Sequence, residues 1–238
     1  MFVFSNFSKV LNNTPSLSGY FSLLMSGMLI PLTCSAGLPM TVDDASITQA
    51  KDCQFQSWMQ HNKDGNQYWL APACNFTGNY EWSFGVAHIS PKEQADTTAF
   101  DLQVKTLLPF LSSKHVATAV SLATQATDHD FHKTTTTLNV PVTFSMPIDS
   151  WLVHVNTGMI HQPSQPKRFT WGLGTEYTFP QVNVAAEVYG NQKDHTDWQF
   201  GLRRWLIQDV LQITGSYGQN LNNHDGFFSV GFVWVKGI

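Results

Sequence analysis

The sequence predicts an all-β fold: an antiparallel up-and-down transmembrane β-barrel of about twelve strands, with apolar side chains turned outward into lipid. Three observations carry that expectation. Apolar and polar residues alternate through most of the chain, the non-apolar face is small and nearly uncharged, and the N-terminus has the pattern of an export signal. From Arg168 onward, Phe169, Trp171, Leu173, Thr175, Tyr177 and Phe179 share one parity, and Thr170, Gly172, Gly174, Glu176 and Thr178 share the other. Successive side chains of a strand point to opposite faces, so this is a sheet surface with one greasy side. A soluble sandwich or lipocalin-like cup also alternates, but its solvated face needs Lys and Glu. Here that face is Gly, Ala, Ser, Thr, Asn and Gln, and a membrane tolerates a sheet only when it closes on itself.

Composition agrees. Charged residues make up 13% of the 238-residue chain and aromatics another 13%, and the mean hydropathy is -0.14. That is charge-poor for a soluble enzyme and too polar for a helical membrane protein. A formal net charge of -4 leaves no basic stripe, which excludes nucleic acid as an expected partner.

Residues 1–36 read as a signal peptide. The apolar run Phe21 to Ile30 is too short to span a bilayer as a helix, and Thr33-Cys34-Ser35-Ala36 supplies small residues for cleavage before Gly37. A lipidated Cys34 is the poorer alternative, because leucine falls one position late for a lipobox. Residues 37–51 follow as an irregular periplasmic N-terminal segment, and the barrel occupies 52–238.

Strand candidates run in order from Cys53 to Gln60, Gln67 to Phe76, Tyr80 to His88, Ala99 to Pro109, His115 to Thr124 and Thr137 to Pro147. They continue with Trp151 to Ile160, Arg168 to Phe179, Val182 to Gly190, Asp197 to Leu206, Val210 to Gly218 and Phe227 to Lys236. Most match the ~9 to 11 residues of a tilted strand crossing a bilayer. Short connections alternate with longer polar ones such as Gln125 to Thr136, which predicts short turns in the periplasm and long loops outside. Trp58, Trp69, Trp82, Trp151, Trp198, Trp205 and Trp234 fall near strand ends and are expected in interfacial girdles. In the first hairpin, pairing Gln60 with Gln67 sets Cys53 opposite Cys74, within reach of a disulfide suited to an oxidising compartment. If that hairpin instead folded back as a cap, the barrel would have about ten strands.

The chain resembles the bacterial outer-membrane β-barrel class from Cys53 onward, and the stretches Gln67 to Asn79 and Gly201 to Asp209 look like segments of an uncharacterised proteobacterial group. The resemblance implies the outer membrane of a Gram-negative bacterium, contact with membrane lipid, and the outer-membrane assembly machinery as a partner. That machinery reads a terminal aromatic residue in such barrels, a role left here to Trp234.

Candidate functional residues fall into three sets. Parity directs Asp101, Lys105, His154, Asn156, Glu176, Asn183, Glu187, Gln199 and Arg203 into the lumen, lining a narrow pore or locking it with salt bridges. The expected role is passage or surface binding of a small solute, without a cofactor. Asp128, His129, Asp130 and His132 offer nitrogen and oxygen ligands for a divalent metal in a loop. His88 and Ser90 share the lipid-facing parity near a strand end, as in outer-membrane phospholipase A, so an acyl hydrolase is the enzymatic alternative. That chemistry needs a third group to orient the imidazole.

Overall fold

The computed structural model describes residues 40–147, 150–192 and 196–237; the expected signal peptide and Cys34 lie outside them. Twelve antiparallel strands close into one barrel. They are β1 (Asp52–Asn62), β2 (Gly65–Asn75), β3 (Tyr80–Pro91), β4 (Thr97–Leu107), β5 (Val116–Thr127) and β6 (Asp130–Ser145). The second half comprises β7 (Trp151–His161), β8 (Arg168–Thr178), β9 (Asn183–Asn191), β10 (Thr196–Ile207), β11 (Leu211–Asn220) and β12 (Gly226–Gly237). Neighbours in sequence are neighbours in the wall, and β1 meets β12 from Asp52↔Gly237 to Asn62↔Phe227, so no edge is left unpaired. The first hairpin is thus part of the wall, and the ten-strand alternative is discarded.

The barrel is inside-out relative to a soluble domain. Among the described residues, the buried apolar set is mostly alanine, with only Val42, Leu152 and Val233 larger. Phe84, Leu102, Leu138, Phe169, Leu173, Phe200, Phe228 and Phe232 are exposed on the outer surface, whereas Gln54, Lys105, Asn156, Glu187, Gln199 and Arg203 are buried within it. Leaving each such Phe or Leu in water forgoes about 1.5–3 kcal/mol. Over a belt of dozens that exceeds the whole stability of a typical domain, about 5–15 kcal/mol, so the belt belongs in hydrocarbon.

Register within the first hairpin pairs Gln60 with Gln67 and Cys53 with Cys74, and the two sulfurs are bonded. Two mid-strand prolines break the ladder locally. The β2–β3 pairing steps from Leu70↔Val86 to Ala73↔Ser83 around Pro72, and the β5–β6 pairing steps from Thr118↔Val142 to Ser121↔Asn139 around Pro141. Proline has no N–H to give, and neighbouring strands must carry those gaps.

Three sequence expectations are corrected. The Gln125 to Thr136 stretch is mostly strand: β5 and β6 extend until Asp128 and His129 alone join them, because the run of β-branched threonines at 134–137 favours sheet over loop. With β1 and β2 also joined tightly through Lys63 and Asp64, the alternation of short and long connections does not hold. Trp58 and Trp69 leave the interfacial girdle: they share the lumen parity of Gln54 and Gln56 and stack with ring centroids 5.3 Å apart. Trp205 pairs with the buried Gln212 and belongs to the inner face as well.

Candidate functional site

The lumen is occupied by the chain's own N-terminal segment. Residues 40–50 are irregular and sit inside the wall. The segment leaves β1 beside the β2–β3 turn, at what is called here the near end, and crosses the lumen to the β8–β10 wall. It is held by side chains from six strands, five of which grip its main chain. Asn75 Nδ2 donates to the Thr48 carbonyl (2.7 Å), and Glu81 accepts from the Thr48 N–H (2.6 Å) and hydroxyl. Thr143 Oγ1 accepts from Ala45 N–H (2.8 Å). Asn156 accepts from Asp43 N–H (2.8 Å) and donates to the carbonyl of the same residue (2.7 Å). Both oxygens of Glu187 accept, one from Thr41 N–H (2.8 Å) and the other from Val42 N–H (2.9 Å). Lys105 completes the grip through its ammonium, 2.8 Å from Asp43 and 3.5 Å from Asp44.

The wall is hollowed where the segment presses on it. An added Cβ at Gly172 would come within 2.7 Å of Val42, at Gly174 within 3.2 Å of Val42, and at Gly201 within 2.7 Å of Met40. Glycine lets main chain and strap approach this closely at 172, where the branched Val42 has little freedom to retreat, while at 201 the flexible Met40 side chain fills the space a side chain would take. On the opposite wall Ala45 packs against Ala117 and Ala119, again small against small.

Beyond the strap lies a cavity of about 670 Å³, with Thr41 to Asp44 and Ser46 contributing to its lining together with Gln56, Trp58, Asp101, Gln103, Asn139, Tyr189 and Asp197. Asp101 has no cationic partner among the described residues. Asn139 donates to Asn156 at 3.2 Å, linking the cavity wall to the strap's seat.

The nine lumen residues expected from parity therefore separate into groups. Lys105, Asn156 and Glu187 hold the strap. His154 reaches it indirectly, its Nδ1 lying 2.9 Å from Thr143 Oγ1. Glu176, Asn183 and Arg203 form a separate lock on adjacent strands: Arg203 is ion-paired with Glu176, and Asn183 donates to the other Glu176 oxygen at 2.9 Å. Gln199 is buried and donates to Ser216 at 2.7 Å. Asp101 faces the open cavity. Three further holding residues, Asn75, Glu81 and Thr143, and the strap itself are absent from the set of nine. Glu81 could have been found, since it shares its parity with Ser83 and Gly85.

The remaining candidates lie outside the lumen. His88 Nε2 is 3.4 Å from Asp96, and Ser90 donates to the other oxygen of the same carboxylate at 2.9 Å. Serine and histidine both turn to Asp96, so the imidazole is not placed to take the serine proton, as a nucleophilic relay requires. His129 sits 3.9 Å from Asp128 and 3.2 Å from the Asp96 carbonyl. The side chains of Asp130 and His132 lie outside the described set, and among described residues no three His, Cys, Asp or Glu gather as a metal needs. Nearby on the far-end rim, Lys63 is ion-paired with Asp225; that hydrogen bond raises the pKa of the ammonium.

Comparison with known structures identifies the architecture. A KdgM porin superposes with a TM-score of 0.64 at 10% identity, covering 76% of this chain and 98% of that one. A NanC porin gives 0.59 at 9% identity, covering 76% and 98%. The COG4313 outer membrane channel from Pseudomonas putida F1 gives 0.62 at 12% identity, covering 81% and 98%. A KdgM porin in complex with disordered oligogalacturonate gives 0.62 at 12% identity, covering 77% and 98%. At these identities the shared property is the fold. No curated protein matches the sequence. A family model matches residues 25–232, and the chain accordingly belongs to the family described as uncharacterised conserved protein UCP029691.

Proposed function

We propose that the protein is an outer-membrane channel of a Gram-negative bacterium, exported by residues 1–36, inserted by the outer-membrane assembly machinery, and passing a small polar solute through a lumen that the N-terminal strap constricts. The near end faces the periplasm in this reading. The observation that carries it is the pairing of an apolar outer belt with a polar interior that still holds about 670 Å³ of space. A barrel filled only for stability would pack that space with side chains.

The bound oligogalacturonate of the KdgM porin does not transfer as the solute. An acidic chain needs free cations, and the buried Lys105 and Arg203 are each committed to carboxylates. Purified protein in planar bilayers is expected to conduct small ions in brief openings, and the open state should favour cations. Membranes that stay silent across a wide voltage range refute the channel.

A further inference from the structure

We infer that the lumen is a binding site for a peptide main chain, that the strap is its resident intramolecular ligand, and that the solute class admitted when the strap leaves is the short oligopeptide. This deepens the channel reading and rests on it.

The argument lies in which atoms the wall recognises. Glu187, Asn156, Thr143, Glu81 and Asn75 direct hydrogen bonds at the N–H and C=O groups of residues 41–48. Asn156 reads donor and acceptor of one residue at once, the complementary amide pairing that any non-proline residue offers. Strap side chains add shape, with Val42 over Gly172 and Gly174, Met40 over Gly201 and Ala45 over two alanines, and polarity at three positions, where Asp43 and Asp44 meet Lys105 and the Thr48 hydroxyl meets Glu81. A site that grips backbone and leaves room for side chains is selective for peptides and tolerant of their sequence, as in strand-addition recognition. A plug evolved only to fill space would not need a bidentate carboxylate on two consecutive amides.

The test uses the full chain in planar bilayers with the substitutions Val42→Pro and Ala45→Pro. These delete strap donors without touching the wall, and they should lengthen openings. Folding is checked by heat-modifiable gel migration. Three peptides are then added: one with the sequence of residues 40–48, one of equal length that keeps aspartate at the positions of Asp43 and Asp44 and threonine at that of Thr48 and is otherwise alanine and serine, and the 40–48 peptide with its amides N-methylated at the positions of Val42 and Asp43. The first two should close the channel at similar concentrations, and the methylated peptide should need about tenfold more or worse, the equivalent of losing one hydrogen bond to Glu187 and one to Asn156. Equal block by the methylated peptide overturns backbone recognition. Block by the 40–48 peptide but not by the second peptide overturns the solute class, leaving a seat fitted to one segment. A variant that conducts and is closed by no peptide refutes the inference while leaving the channel standing. A folded variant that never conducts removes the channel reading first.

Discussion

Lys105→Met should release the strap. Its ammonium is the one lysine buried in the wall among described residues, only 5% exposed, and it lies 2.8 Å from Asp43 and 3.5 Å from Asp44. Methionine keeps the length of the stem and removes the charge. Stripping one partner from a fully buried pair costs about 3–5 kcal/mol. Here the carboxylates retain 33% and 24% of their exposure, so water recovers part of that loss. About 2 kcal/mol remains, which shifts the ratio of seated to released strap roughly 30-fold. Single-channel recording reads this ratio directly as open probability. The interaction is isolated by adding Asp43→Asn and Asp44→Asn: with no buried carboxylates to strand, the combined variant should return toward wild type, a positive coupling in a mutant cycle. Open probability unchanged in Lys105→Met, in a barrel that still runs folded on a gel, refutes the account of how the strap is held. An effect that the asparagines fail to reverse refutes the role of the pair.

Further outcomes follow from the wall. Gly172→Val should lengthen openings, since its Cβ would meet Val42 at 2.7 Å, whereas Gly215→Val should leave recordings unchanged, its nearest neighbour being 3.9 Å away. Reducing the Cys53–Cys74 bond, which spans 21 residues, should cost about 3 kcal/mol on loop-entropy grounds and lower the temperature at which the folded gel band disappears. Leu102→Arg on the outer belt should weaken folding into bilayers by about 2–4 kcal/mol in denaturant titration, while Gln103→Arg, one residue on and facing the cavity, should fold nearly as well.

Much of the wall could be read from alternation alone, because a strand with lipid on one side and lumen on the other repeats every second residue with little interference. Cys53 and Cys74 were placed correctly since the turn between their strands fixes the register, and register fixes every pair in a hairpin. Sequence and structure differ where residue type and parity point in opposite directions. Tryptophan as a type favours the interface, yet Gln54 and Gln56 on the same face mark Trp58 and its partner Trp69 as lumenal. Polar threonine and histidine resemble loop residues between β5 and β6, yet four successive β-branched side chains favour a strand.

The strap escaped for a different reason. Residues 40–50 have no period, and the features that seat them are scattered over eight strands as single polar residues and inward glycines. Gly172, Gly174 and Gly201 read in sequence as small lumen residues, and only the folded wall shows that they line one furrow. Lys105 and Asp43 are far apart in the chain, and a single sequence contains nothing that couples them.

The seam between β1 and β12 has a consequence for biogenesis. Synthesis delivers β1 first and β12 last, so the strand that begins the wall waits for the strand that ends it, with one flank bare throughout. The disulfide fastens the other flank of β1 to β2, so the early hairpin can persist as a preformed unit while the rest of the chain arrives. Because the strap is continuous with β1 and projects to its inner side, the final zippering step encloses it. The newborn barrel would thus be corked from the moment it closes, sparing the cell a leak at every insertion.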